Sequence, residues 1–321
     1  MKLTVTMEPV NLLSRFAARR IDLVLISVAS VWGGSYLAAK ALTEQASVMV
    51  VLGLRFAVAF VALLIVWAVM RGRMPSRREW LVGGVLGLTQ ASILLLETAG
   101  VAVTSATNAG LIISLTIIFT PILESVASRN WLPRPFFIAA VVAVALLVSG
   151  NGFQMPNVGD LLVLAAAGVR AFHVTMLGRL SRPDQFSVIT LTLVQMLVGT
   201  MIFVAADAPG FVRATLTFGG VEWLGVLYLG LACSVFAFLA QLWAVQRSSA
   251  ARASLLMGTE PIWAVLVGVT LGAETLGLVG LLGAALIIAG TFWGQRIEAR
   301  HRTSADAAGA LENRAHSITV D

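Results

Sequence analysis

An all-α membrane protein of ten transmembrane helices, arranged as a 5+5 inverted-topology repeat, is predicted by three features of this sequence. The first is composition. Of 321 residues, 58% are hydrophobic and only 12% charged, and the mean hydropathy is +0.91. A soluble domain carries about 25% charged residues to cover its surface, so most of this chain is solvated by lipid. A spanning helix needs ~20 apolar residues, and ten such helices with short connections use up a chain of this length. The second feature is the alternation of basic residues from one connection to the next. The third is an internal similarity at an offset of 144 residues.

Apolar runs punctuated by Arg, Pro and Gly predict helices at 21–42, 48–70, 80–102, 106–127 and 136–150, then at 157–179, 185–205, 221–243, 251–271 and 277–294. A cytoplasmic segment, 1–20, precedes the first five-helix repeat at 21–150. The second repeat occupies 157–294, and a polar tail, 295–321, reads as disordered. The first apolar run follows Arg15, Arg19 and Arg20 and precedes Ala39-Lys40-Ala41, which looks like a cleavable leader. It is longer than the h-region of about 7 to 15 residues in a signal peptide, and the repeat needs it, so it is read as a retained helix.

Eighteen of the 22 basic residues fall in one set of alternate segments, and the opposite set holds only Arg213. Lys40, Arg55 and Arg170 lie inside predicted spans. By the positive-inside rule this places both termini in the cytoplasm of a multi-pass protein of the cell inner membrane or plasma membrane. The net charge of +6 and a pI near 10.6 are thereby attributed to cytoplasmic loops, with no nucleic-acid partner expected. Cys233 is the single cysteine, so neither an intramolecular disulfide nor a cysteine metal cluster can form. His173, His301 and His316 make no H-E-x-x-H pair, and no metal or other cofactor is expected.

The repeat is visible where Ser105-Ala106-Thr107-Asn108-Ala109-Gly110-Leu111 resembles Ser249-Ala250-Ala251-Arg252-Ala253-Ser254-Leu255. The same offset sets Glu97 against Gln241, and each copy is followed by a proline, Pro121 or Pro261. Five helices per copy is an odd number, so the second copy must enter the membrane upside down. The S-A-x-x-A pattern on its own is also a common small-residue helix start.

Trp32-Gly33-Gly34-Ser35, Lys40, Leu54-Arg55-Phe56, the two S-A-x-x-A starts, Glu260-Pro261 and Leu271-Gly272-Ala273-Glu274 together resemble the EamA-type drug/metabolite transporter superfamily. The resemblance covers roughly residues 21 to 294. It implies export or exchange of small metabolites through a central cavity lined by helices one to four and six to nine, with helices five and ten peripheral. The sequence departs from that pattern in having Arg170-Ala171 where the family often shows Trp-Ala, and in having no glutamate at the end of the fourth helix.

Ionisable groups in hydrocarbon are costly and face a cavity or a partner. At 1.5 Å per residue, Arg170 and Glu260 both fall within roughly 3 Å of the middle of their helices. Two readings stay open: Arg170 binds an anionic substrate group with Glu260 as counter-charge or proton carrier, or the two form a structural ion pair. His173 lies three residues after Arg170 on the same face, as a proton relay or a hydrogen-bonded packing residue. Glu97 falls about 9 Å from its helix centre, at a depth like those of Arg55 and Lys40; Glu97 and Arg55 are candidates for coupling or gating, with a salt bridge or substrate binding as the alternatives for Glu97. Trp32, Tyr36, Gln90, Gln195, Gln241 and Trp263 supply apolar walls and placed polar groups for a substrate pocket, or simply pack. Pro121 and Pro261 kink helices four and nine, for flexing or for static shape. G-x-x-x-G spacings at Gly83/Gly87, Gly268/Gly272 and Gly290/Gly294 suit close helix packing. For the last pair, a homodimer through the tenth helix is the alternative.

The reading is a secondary active transporter that exports a small, amino acid-like or drug-like metabolite, driven by the cargo gradient or by proton exchange. Its partners are that small molecule and membrane lipids. An intramembrane enzyme is the main alternative from another class, but no zinc pair, no G-x-S-x-G nucleophile and no pair of close carboxylates in one span occurs. A facilitative channel would need a ring of charges or a carbonyl filter, and none is evident.

Overall fold

The structure, a computed structural model, describes residues 12–128, 157–181, 185–247 and 250–274 together with a few isolated later positions. The predicted helices at 136–150 and 277–294, residues 1–11, the tail and the Gly290/Gly294 pair lie outside the described residues. All regular structure among the described residues is helical. The helices are α1 (Leu12–Thr43), α2 (Val48–Val69), α3 (Arg77–Val101), α4 (Ala106–Ile113), α5 (Thr116–Ser128), α6 (Val158–Leu180), α7 (Val188–Ala206), α8 (Ala208–Thr217), α9 (Gly220–Leu227), a π-helical stretch (Tyr228–Phe236), α10 (Ala237–Arg247), α11 (Ala250–Met257) and α12 (Glu260–Thr270). Seven helical stretches are long and apolar enough to cross a bilayer, among them the run Gly220–Arg247 that joins α9, the π stretch and α10.

Helix starts follow from side-chain caps, because a buried helix must satisfy its first N–H groups without water. Ser47, Ser105 and Ser187 accept from Val50, Asn108 and Thr190, while Ser76 with Glu79 and Asn157 with Asp160 form reciprocal capping boxes. The connection after α7, to which the apolar runs assign no helix, is itself helical. Asp207 caps it by accepting from the Gly210 N–H at 3.0 Å, and Pro209 occupies the first turn, where a missing N–H costs nothing.

The fourth and ninth spans are each broken. The ninth breaks at Gly258 and Thr259, directly before Pro261, which sits at the start of α12 as expected of a kinking proline. The fourth breaks at Ser114 and Leu115, several residues before Pro121, and Pro121 lies inside the continuous α5. The break falls where the Ser114 hydroxyl donates to the Leu111 carbonyl at 2.6 Å and where Leu115, Ile117 and Ile118 bond three residues back, a tightened turn.

Packing pairs come in mates. The first span packs on the eighth and ninth, the third on the sixth and seventh, the second on the seventh and eighth, and the fourth on the sixth and ninth. Exchanging each span with the one five later maps this set of pairs onto itself, as an internal two-fold repeat requires. Glycines allow the closest approaches. A Cβ on Gly33 would stand 2.4 Å from the Trp263 Cβ and 2.8 Å from the Ala264 nitrogen, so α1 and α12 meet backbone to backbone there. Gly83 and Gly87 press on Val194 and Val198 of α7 in the same way. Leu23, Val61, Ile65, Leu81, Leu88 and Leu224 point outward, forming the apolar face a lipid-embedded bundle presents.

Candidate functional site

Four spans converge on one buried charge cluster. Arg170, one residue past the middle of α6, donates from Nη1 to Glu260 Oε2 at 2.9 Å and from Nη2 to Glu97 Oε2 at 2.7 Å. Tyr36 on α1 donates its hydroxyl to the other oxygen of Glu260. The guanidinium also lies over the Trp32 ring, 5.0 Å from its centroid, in cation–π geometry. All of these side chains are buried, with side-chain exposure of 10% for Arg170, 6% for Glu97 and 5% for Glu260. The guanidinium thus joins carboxylates from both halves of the chain.

Counting residues along the helices puts Glu97 well away from Arg170, and the structure corrects this. Gly100 and Gly159 are in backbone contact, which sets the end of α3 level with the start of α6. Glu97 and Arg170 are then separated by roughly 12 Å along the helix axes at 1.5 Å per residue. The two helices run antiparallel, and side chains lean toward the N-terminus of their own helix. Each side chain therefore leans toward the other, and the long arginine closes the gap.

The cluster borders a cavity of about 10 Å³, room for about one water. Its walls include Gln90, Ile93, Leu94 and Glu97 from α3, spaced as one helical face. Shifted by the 144-residue offset, these positions become Ser234, Ala237, Phe238 and Gln241, of which Phe238 and Gln241 line the opposite wall. The same face of the third and eighth spans encloses the site from two sides. Trp32, Arg55, Arg170 and His173 complete the lining.

The π-helical stretch shapes the wall formed by the eighth span. Its widened turn bonds Ala237 N to Ala232 O and leaves the Cys233 carbonyl to accept the Trp32 indole N–H at 2.9 Å. Tyr228 donates its hydroxyl to Val31 O at 2.6 Å, and Ser234 donates to Leu229 O at 2.9 Å while accepting from Arg55 Nε at 2.9 Å. π-helical turns inside longer helices concentrate at functional sites. Nothing in the apolar run 221–243 distinguishes such a turn from an ordinary helix. The roles of Cys233, Ser234 and Tyr228 were therefore invisible before the structure.

Of the residues expected to form the pocket, Trp32, Gln90, Gln241, Arg170, Glu97, His173 and Arg55 line the cavity, and Tyr36 and Glu260 adjoin it through Arg170. Trp263 is not a lining residue. It is half-buried, with its Cβ against Gly33 at the contact of α1 and α12. Gln195 is buried where α7 meets Gly87 of α3. The His173 ring nitrogen Nδ1 lies 2.7 Å from the Thr89 hydroxyl. Among the described residues no group of His, Cys, Asp and Glu is arranged to hold a metal ion.

A second polar network lies where the last turn of α3 and the first turns of α4 and α6 meet the segment after α12. Glu274 accepts from the backbone N–H groups of Ala106 at 2.8 Å and Thr107 at 3.0 Å, completing the cap of α4 begun by Ser105. Asp160 accepts from the Thr104 hydroxyl at 2.7 Å and from the Asn108 amide, and Lys40 donates to Thr104 O at 3.0 Å. The glutamate that the sequence places at the end of the ninth span is thus a helix cap acting between the two repeats.

Comparisons with known proteins agree with this architecture. The EamA-like transporter family matches residues 19–149 and again residues 157–293. The chain is 24% identical over 274 residues to an uncharacterized transporter of Archaeoglobus fulgidus, covering 84% of this chain and 96% of that one. It is 25% identical over 284 residues to the uncharacterized transporter YetK of Bacillus subtilis, covering 84% of each. It is 24% identical over 277 residues to the uncharacterized inner membrane transporter YedA of Escherichia coli K12, covering 82% of this chain and 87% of YedA. A protein of known crystal structure superposes with a TM-score of 0.63 at 17% identity, over 85% of this chain and 95% of that one, which supports the fold. With two matches that together span nearly all of its membrane part, the chain is a multi-pass membrane transporter and belongs to the EamA-like transporter family.

Proposed function

We propose that the chain is a secondary active transporter of the inner or plasma membrane that carries a small metabolite by alternating access. In this reading both termini are cytoplasmic, the direction is export, and the Arg170 cluster is the switching element. The observation that carries the reading is that one guanidinium holds carboxylates from both repeats around a cavity of about 10 Å³. No metabolite fits that space, so substrate enters only when the halves separate on one side. A guanidinium shared between two carboxylates has an alternative partner at every stage of that movement. Protonation of Glu97 or Glu260 removes one of the two ion pairs, which links the movement to a proton. Arg170 is accordingly the holder of the cluster rather than a free anchor for substrate, since both of its terminal nitrogens are already engaged.

The test uses purified protein in liposomes and a metabolite panel rich in amino acids, with and without a pH gradient and with an internal pH dye. Saturable solute movement accompanied by a change in internal pH is expected. Tight binding of a solute with no movement across the membrane would overturn the reading in favour of a receptor.

A further inference from the structure

The cavity holds a second arginine whose chemistry differs from that of Arg170. Arg55 on α2 is only 3% exposed and lines the cavity, yet no carboxylate lies within 4 Å of it among the described residues. Among the described residues its one hydrogen bond runs from Nε to the Ser234 hydroxyl at 2.9 Å, and that hydroxyl is held in turn by the Leu229 carbonyl of the π turn. The backbone side of the guanidinium is pinned, while Nη1 and Nη2, with four N–H donors, have no protein partner among the described residues. The Gln90 amide lines the same cavity with no protein hydrogen bond among the described residues.

A buried guanidinium with no carboxylate in contact is a costly group for a membrane protein to carry. It cannot snorkel to the interface from a site enclosed by α3, α6 and the eighth span. What remains is a planar fork of donors on a residue that lines the cavity, the shape that matches a carboxylate in two parallel bonds. The charges of the site agree with this. Glu97 and Glu260 against Arg170 leave one excess negative charge when both are ionised, which Arg55 balances at a distance, and binding an anion there is offset by protonating one of the two glutamates.

We infer that Arg55 is the anion-binding residue of the cavity and that the carried metabolite has a carboxylate, which docks on the Nη edge of Arg55 beside Gln90. Trp32, Leu94 and Phe238 form the apolar wall for the rest of such a ligand. The inference deepens the transporter reading and rests on it for what the cavity is for.

The experiment measures equilibrium binding to purified protein in detergent for acids paired with their primary amides, leucine against leucinamide and butyrate against butyramide, extended to other amino acids and sugar acids. In the wild type at least one acid is expected to bind about tenfold to a hundredfold tighter than its amide, the worth of charge-assisted hydrogen bonds. Arg55→Gln should bring that ratio to about one, and Arg55→Lys should leave an intermediate ratio, because an ammonium keeps the charge and loses the fork. Ser234→Ala keeps the charge and frees only Nε, so a folded protein with a smaller loss is expected even if Arg55→Gln fails to fold. The inference is overturned if no acid binds, if amides bind as well as acids, or if folded Arg55→Gln keeps the wild-type ratio. Acid-selective binding without transport in liposomes would overturn the transporter reading alone.

Discussion

The centre of the bundle and the end where α4 and α6 begin each contain a pair of carboxylates, and the two pairs are satisfied in opposite ways. At the end, Glu274 takes the backbone N–H groups of Ala106 and Thr107, and Asp160 takes that of Asn157 at 3.0 Å. Those donors belong to helix N-termini and cannot leave without unwinding a turn. At the centre, Glu97 and Glu260 are held, among the described residues, by side chains alone, Arg170 and Tyr36, which exchange partners by rotating about single bonds. Burial alone does not separate a structural acid from a functional one. The kind of donor does, because a fixed backbone donor stores no alternative state and a guanidinium does.

The sharpest way to break this comparison is Arg170→Met. It leaves two buried carboxylates with no cation within 4 Å among the described residues, and removal of one partner from a buried pair costs about 3–5 kcal/mol. Denaturant unfolding in detergent should show that loss. The triple variant that adds Glu97→Gln and Glu260→Gln should recover much of the stability and none of the transport. Recovery of both would make the centre as structural as the end.

Glu274→Ala probes the other region. Loss of a helix-capping carboxylate should cost about 1–2 kcal/mol, read as a lower thermal midpoint, while transport at a permissive temperature persists. Abolished transport in a folded Glu274→Ala protein would show that the end takes part in the cycle. Asp160→Asn should have an effect of about 1 kcal/mol, because Oδ1 accepts from Thr104 and Asn108 while Oδ2 accepts from the Asn157 N–H, and the amide keeps an acceptor on one side only. The same unfolding assay measures it.

Much of the fold was legible in advance. Ser47, Ser105 and Ser187 announce helix starts because a side-chain oxygen is the local remedy for unsatisfied N–H groups, and apolar runs of about 20 residues announce spans. Asp207 followed by Pro209 carries the signal for α8, a cap and a first-turn proline, in a connection that lacks the apolar run of a span. At the site, Arg170 and Glu260 stood out because charge in an apolar run is conspicuous. Glu97 was set apart from them because residue counting treats each helix as an isolated rod. Residue type and a place near mid-depth point to the pocket for Trp263, and in the structure its Cβ faces Gly33.

By itself the sequence determined the solvent, the spans, the repeat and the short roll of buried charges, since each depends on local composition, spacing or the cost of moving an ion into lipid. Only the tertiary structure decided which charges are paired. Whether Arg170 is engaged twice and Arg55 by one hydroxyl depends on the relative height of antiparallel helices, on glycines that let backbones touch, and on a π turn that redirects a carbonyl and a serine. Those are relations between segments distant in the chain, and no local pattern encodes them.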